Sequence, residues 1–290
     1  MVEQRRLGRT EHRSAVAILG GAAFARTTGE RAAEGFARAL ERGVNHLDIA
    51  PTYGDAEVLV GPHIPAVRDR LFLACKTRRR SPDGVRAQLE ESLRRLQTDH
   101  LDLYQLHAVT GTDVLEERAG AAEALLAARD EGLTHFVGIT GHDLGAPRAH
   151  LEALRRWDLD TVMFAVYPRA WAEPTYRAAA EELLAVCAER DIGVMAIKAV
   201  ARRPWNGRDR FATTWYEPWD DTDPLERGVR FALSTPGVHA FCTAGDLDLL
   251  RRVLDAAERF RPLSDAEWEQ AVQDMAGEEI IFPLAEKAVR

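Results

Sequence analysis

Residues 71–107 read LFLACKTRRRSPDGVRAQLEESLRRLQTDHLDLYQLH, and this one stretch carries the repeating unit of the whole chain. LFLACK (71–76) is a short apolar run of the length and composition of a buried strand. Ser81-Pro82 then supplies a helix N-cap followed by proline in the first turn. Val85, Leu89, Leu93 and Leu96 recur at helical spacing and form one buried stripe. LDLYQLH (101–107) is a second strand. Two strands joined through a helix imply a right-handed parallel crossover.

The pattern continues in both directions. Upstream, VAILGG (16–21) is a strand, 29–42 a helix stopped at Gly43, VNHLDIA (44–50) a strand and 55–61 a short helix. Downstream, the helices fall at about 119–131, 145–156, 173–190, 224–234 and 246–259. Between them lie the strands THFVGIT (134–140), TVMFAVY (161–167), GVMAIK (193–198) and VHAFCTA (238–244). Eight strand-then-helix units with no compositional break predict an α/β protein, a (β/α)8 TIM barrel, with residues 1–290 forming one domain. The competing open doubly wound sheet announces itself by a G-x-G-x-x-G turn, and LGGAAFA is not one. Two segments fall outside the repeat. Residues 199–223 form a long loop after strand seven with Trp205, Trp215, Tyr216 and Trp219. The chain end adds a helix over Asp265–Met275 and the tail EEIIFPLAEKAVR.

Bulk composition narrows the function. A net charge of -8 and a pI near 5.7 argue against nucleic-acid binding, and the Arg runs at 78–80 and 202–203 stand isolated in an acidic background. MVEQRRLGRT has no apolar secretion core and no run reaches bilayer length, so the expected compartment is the cytoplasm, without a membrane partner. Cys75, Cys187 and Cys242 lie far apart in apolar settings and read as reduced packing thiols, neither disulfides nor metal ligands. Of 38 basic residues only Lys76, Lys198 and Lys287 are lysines. A lysine that survives in such an arginine-rich chain marks a place where a compact, pKa-adjustable charge is needed. Lys287 lies in the tail and reads as ordinary, but the other two each close an apolar run.

In a barrel of this kind, reactive groups gather at the carboxyl ends of the strands. Strand two ends at Asp48 with Tyr53 in its loop, strand three at Lys76 and strand four at His107. Singly, each has an ordinary explanation: a core histidine, a buried ion pair, a packed aromatic. Together they supply what carbonyl reduction needs, a proton donor for the developing oxygen charge. A lysine ammonium about 4 Å from a phenol favours phenolate by roughly 4 kcal/mol at an effective dielectric of about 20. That is ~3 pKa units, partly cancelled by desolvation, and brings Tyr53 toward a working range. Asp48 would hold Lys76 charged, and His107 would orient the substrate oxygen.

RRLGRT…LGGAAFA, GVNHLDIAPTYGDAE, LFLACKT, LDLYQLH and VGIT, in that order, resemble the aldo/keto reductases along nearly the whole chain. The resemblance implies the catalytic tetrad Asp48, Tyr53, Lys76 and His107, and a nicotinamide cofactor bound across the barrel mouth without a Rossmann fold. It implies cofactor contacts from Gly21, Ala22, Asp48, Thr140, Gly141, Thr243, Ala244, Gly245 and Arg251, and a substrate pocket of Phe24, Tyr53, His107 and Trp205. Three positions depart from the family pattern. Thr140-Gly141, followed by His142, stands where the family has Ser-Asn; Phe164 stands at its Gln position and Ala199 at its stacking aromatic. CTAGDLDLLRR (242–252) lacks the usual clamp lysine and offers only Arg251 and Arg252, so NADPH is favoured with NADH left open. Lys198 is expected either to bind a cofactor phosphate or to pair with a loop acid.

The leading expectation is therefore an NAD(P)H-dependent oxidoreductase acting reversibly on a small aldehyde or ketone, with Tyr53 as acid. A non-catalytic NADP(H)-sensing regulatory protein is the alternative. A Schiff-base aldolase using Lys76 or Lys198 is a more distant one. Oligomeric state is not readable from the sequence.

Overall fold

In the computed structural model, which describes residues 1–283, eight parallel strands close on themselves. In chain order they are Ala17–Gly20, His46–Asp48, Phe72–Thr77, Leu101–Leu106, Thr134–Thr140, Thr161–Ala165, Gly193–Ile197 and Ala240–Cys242, the first to eighth strands below. Neighbours in sequence are neighbours in space, and the eighth strand closes the ring by pairing Phe241 with Ala17 of the first. This is the expected (β/α)8 barrel. All six residues of the third strand are buried, because one face fills the barrel and the other lies under helices.

The connecting helices form where the apolar stripes require them. Pro82–Leu96 starts at Ser81, whose hydroxyl accepts from the Gly84 N–H at 3.2 Å, and buries Val85, Leu89, Leu93 and Leu96. Asp265–Met275 coincides with its sequence expectation and carries a reciprocal capping box between Ser264 and Glu267. Two short helices, Thr112–Glu116 and Pro168–Trp171, were not expected; one turn leaves no periodic signal to read.

Two hairpins also escape the strand-and-helix pattern. Gln4–Arg6 pairs antiparallel with Arg13–Ala15 beneath the amino ends of the strands. Leu7 there is fully buried, the Arg9 N–H donates to Asp191 O at 2.6 Å and the Ala15 N–H to Asn45 Oδ1 at 2.8 Å. The second hairpin changes the reading of 199–223. Ala201–Pro204 pairs with Tyr216–Pro218, so the expected loop has a structured base. These strands are too short and too rich in Arg and Pro to show alternation. Lys287 and the end of the tail lie outside the described residues. No helix among those described is long and apolar enough to cross a membrane.

Candidate active site

A cavity of about 240 Å³ lies at the carboxyl ends of the strands. Lys76 occupies its floor. Its Nζ lies 2.5 Å from Asp48 Oδ2, 3.1 Å from Ile49 O and 3.4 Å from Tyr53 Oη. An ammonium has three N–H donors, and each has one of these acceptors. Asp48 is held in turn by Gln105 Nε2, which donates to Oδ1 at 3.0 Å. Lys76 and Asp48 are each only 2% exposed. Arginine could not take this place, since its planar fork does not fit three acceptors arranged around a point.

The other two tetrad members meet the pair from neighbouring loops. Tyr53 sits in a tight turn closed by its own N–H donating to Ala50 O at 3.0 Å. The His107 N–H donates to Thr77 O at 2.8 Å, extending the ladder between the third and fourth strands by one residue. Its ring stands edge-on to Tyr53, centroids 5.8 Å apart at 88°. All four predicted residues therefore converge on one cavity.

Electrostatics differ from the sequence expectation at Tyr53. Burial dominates and pushes the phenol up to about 12; Lys76 pulls it down, while Asp48 and Cys242 push it further up. The ammonium does not act alone: burial outweighs its pull, and Asp48 at 2.5 Å offsets part of its field. Tyr53 keeps part of its surface open to the cavity and is firmly protonated at neutral pH. For Lys76, burial acts downward, but Asp48 and Tyr53 outweigh it and the ammonium is held above its ordinary value. His107 is pushed well below the ordinary histidine value, first by burial and then by Lys76, so its imidazole is neutral.

Gly21, Ala22, Thr140, Lys198, Thr243, Ala244 and Gly245 line the same cavity. The approach is close: a Cβ on Gly21 would stand 2.7 Å from Ile49 Cγ1. Four other predicted residues do not reach it. Gly141 lies behind the wall, where a Cβ would meet His150 Nε2 at 2.6 Å. Arg251 is on the exposed side of helix Leu247–Glu258, with Nη1 3.9 Å from Asp255. Phe24 is fully buried packing, and Trp205 is buried with its indole N–H donating to Thr214 O at 2.8 Å. On the sixth strand, Met163 lines the cavity while Phe164 faces outward and stacks on Trp171 at 6.3 Å. The inward position is thus Met163, one residue before Phe164, which in a strand means the opposite face. Ala199 is buried outside the lining; Trp215 and Tyr216 bring aromatic surface instead.

Those two rings enclose Lys198. Its Nζ lies 4.7 Å from the Trp215 centroid and 5.3 Å from that of Tyr216. No carboxylate among the described residues pairs with it, because Glu217 of the hairpin is taken by Arg203 at 3.0 Å and Arg202 at 3.4 Å. The expected loop-acid pair is therefore not formed. Burial draws the ammonium down to about 8, with a smaller upward push from Cys242 and a downward one from Lys76, although some of its surface still faces the cavity. Lys198 also adopts φ +72°, a left-handed conformation uncommon for a side-chain-bearing residue. The hairpin holding the rings is tied down at Thr213. Its N–H and hydroxyl both donate to Asp246 Oδ2 (2.8 and 3.0 Å), while Asp246 Oδ1 caps the last βα helix.

Arg26, Arg78 and His142 also line the cavity and were not among the predicted site residues. Being strand-end or loop residues, they could have been flagged by the same strand-end rule that found Lys76.

A sequence model of the aldo/keto reductase family matches residues 17–213, and the chain belongs to that family. Among curated relatives, the oxidoreductase YqkF of Bacillus subtilis is 31% identical over 180 residues, 57% of this chain and 54% of the relative. Methylglyoxal reductase YeaE of Escherichia coli is 40% identical over 92 residues, 30% and 32% of the two chains. The chain thus spans about half or less of the length of the curated relatives it matches. Among solved structures, the holo form of an aldo-keto reductase from Bacillus halodurans superposes over all of both chains with TM-score 0.73 and 23% identity. An aldo-keto reductase from Klebsiella pneumoniae in complex with NADPH gives TM-score 0.72 at 22% identity, over 98% of this chain and 100% of that one. At these identities the likeness is one of fold.

Proposed function

We propose that this protein is an NAD(P)H-dependent carbonyl reductase in which Tyr53 protonates the oxygen of a small aldehyde or ketone. The observation that carries the reading is a single buried ammonium, Lys76 Nζ, touching both the Asp48 carboxylate at 2.5 Å and the Tyr53 hydroxyl at 3.4 Å. A bound nicotinamide cofactor supplies the hydride. Every other step belongs to the chain. As negative charge builds on the substrate oxygen, Tyr53 gives up its proton to it, a transfer for which a phenol kept in its acid form is suited. Lys76, in contact with the phenol, stabilises the phenolate left behind, and Asp48 keeps that ammonium charged. His107, neutral, can donate a hydrogen bond to the substrate oxygen without adding charge to the site.

For the cofactor, the small residues Gly21, Ala22, Ala244 and Gly245 let backbone approach closely, and Thr140 and Thr243 add hydroxyls. Asp48 faces the same space from the floor. A Cβ on Gly245 would lie 3.1 Å from Ala22 Cβ, so the cradle is already tight. We read Lys198 as the phosphate-binding cation, because it is a cavity-lining ammonium with no carboxylate partner among the described residues. NADPH is favoured because it carries one phosphate more than NADH. The test is turnover of a carbonyl panel followed by loss of reduced-nicotinamide absorbance, with both cofactors. Consumption abolished in Tyr53→Phe supports the reading. Tight cofactor binding with no turnover of any carbonyl would replace it with a sensor.

A further inference from the structure

At the amino-terminal end of the barrel, away from the reaction cavity, three side chains able to ligate a metal meet. Asp102 is the second residue of the fourth strand and His135 the second of the fifth. The register sets Leu101 beside Thr134 and Leu103 beside Phe136, so Asp102 and His135 are cross-strand neighbours. His100 stands two residues before Asp102, a spacing that on extended backbone puts both side chains on one face. A ligand atom of each of the three lies within 4.8 Å of those of the other two, and the imidazole centroids are 4.8 Å apart.

Their other contacts prepare these groups as ligands. Asp102 Oδ2 accepts from the Leu73 N–H at 2.7 Å and faces Arg68 Nη1 at 2.9 Å, which fixes the carboxylate. Its Oδ1 stands 3.6 Å from His135 Nδ1. That gap is too long for a hydrogen bond, yet close to the ~3.4 Å between two ligand atoms held about 2.1 Å from one tetrahedral ion. His100 Nδ1 meets Asp99 Oδ1 at 2.6 Å, and this bond is the first cause holding the Asp99 carboxyl below its ordinary value. An ionised carboxylate only accepts, so the proton is on Nδ1 and the lone pair on Nε2. Outer carboxylates orient metal-binding histidines in the same way. Two separate histidine–carboxylate pairs would account for His100 but not for the open gap at His135. The His135 side chain is 53% exposed and has room to turn toward the other two.

We propose that His100, Asp102 and His135 bind one divalent transition-metal ion of the zinc class, with water completing the coordination, and that the ion ties the fourth strand to the fifth. Two imidazoles and one carboxylate suit Zn²⁺, whereas Mg²⁺ and Ca²⁺ prefer oxygen ligands throughout. The Arg68 guanidinium opposes the ion's charge, so the metal is expected to exchange with chelators.

The test takes the whole chain, stripped with EDTA, and titrates it with ZnCl₂. No step depends on turnover, so the outcome is separate from that of the reductase reading. Calorimetry should give one equivalent of Zn²⁺, and Co²⁺ in its place should show the visible absorption of a tetrahedral ion. Zn²⁺ at roughly 100 times its dissociation constant should raise the melting temperature by several degrees, reversibly with EDTA. The same excess of Mg²⁺ or Ca²⁺ should not.

His135→Ala should weaken Zn²⁺ binding about tenfold or more and remove the cobalt absorption, while melting with the metal-free wild type. His100→Gln, which keeps His135, should show the same loss and guards against a folding defect in the first variant. His63→Ala, at a histidine outside the cluster, should bind as the wild type does. No binding to the wild type overturns the proposal. So does binding unchanged in both cluster variants, or lost equally in His63→Ala, since either marks adventitious attachment to surface histidines.

Discussion

Two lysines face the same cavity from opposite walls, and they are built in opposite ways. Lys76, between the second and fourth strands, gives each of its three N–H groups an oxygen and is held charged by Asp48 at 2.5 Å. Lys198, at the end of the seventh strand, meets two aromatic rings and no carboxylate among the described residues, and its ammonium is drawn down to about 8. A cation whose three N–H groups already have acceptors has no donor left for an incoming ligand. A cation stabilised by ring faces keeps its charge available for an incoming anion. The difference separates a wall suited to proton transfer from one suited to holding a ligand.

The sharpest way to break that division is at Tyr53. Tyr53→Phe removes the proton donor and leaves the Lys76–Asp48 pair in place, so kcat for carbonyl reduction should fall roughly 10²–10⁴-fold with cofactor affinity retained. A variant as active as its parent would show that the reaction does not use this wall.

Asp48→Asn attacks the pair itself. It leaves the Lys76 ammonium buried without its counter-charge and should destabilise the fold by about 3–5 kcal/mol, read from denaturant midpoints. Adding Lys76→Met to that variant should recover much of the loss, because the uncompensated charge is then gone. No recovery would mean that the cost lies in Gln105 and the strand end and has little to do with the ion pair.

Lys198→Met sharpens the comparison from the other side. NADPH affinity should weaken about tenfold, or ~1.4 kcal/mol, with a smaller change for NADH. In the wild type the same affinity should decline as pH rises through about 8, where Lys198 loses its charge. The stability sign is opposite. Between about 8 and the ordinary lysine value the unfolded chain binds the extra proton, so this residue adds stability as pH rises. Both slopes should vanish in Lys198→Met. Affinity indifferent to pH and to the substitution would remove Lys198 from the ligand-holding wall.

The smallest expected effect is at Arg251. As an exposed residue 3.9 Å from Asp255, its replacement by alanine should alter stability by less than about 0.5 kcal/mol and leave the NADPH-to-NADH preference intact. A lost preference would move the phosphate site to the helix after the eighth strand.

The barrel was legible because its signal repeats. Most strands are short apolar runs buried on both faces, and most barrel helices carry an apolar stripe between recognisable stops. The convergence of Asp48, Lys76 and His107 on one cavity was legible for a related reason, since the end of a strand and its direction can be read locally, and the three stand at or beside three successive ends. What was not legible depended on one-residue offsets or on distant pairing. Met163 and not Phe164 faces inward because the pleat alternates, a matter of register that composition cannot fix. Phe24 and Trp205 look like pocket aromatics in one dimension and are packing in three.

Local sequence therefore determined the secondary structure and the residue types delivered to the barrel mouth, because helix stripes, caps and apolar runs act over a few residues. Tertiary structure decided the charge states and the surroundings of the two lysines. The Tyr53 phenol is pushed up because it is buried, with a smaller push from Asp48, and Lys198 faces rings because a hairpin is strapped to Asp246. Those outcomes depend on which groups become neighbours across the barrel, and desolvation and Coulomb interaction are properties of that neighbourhood.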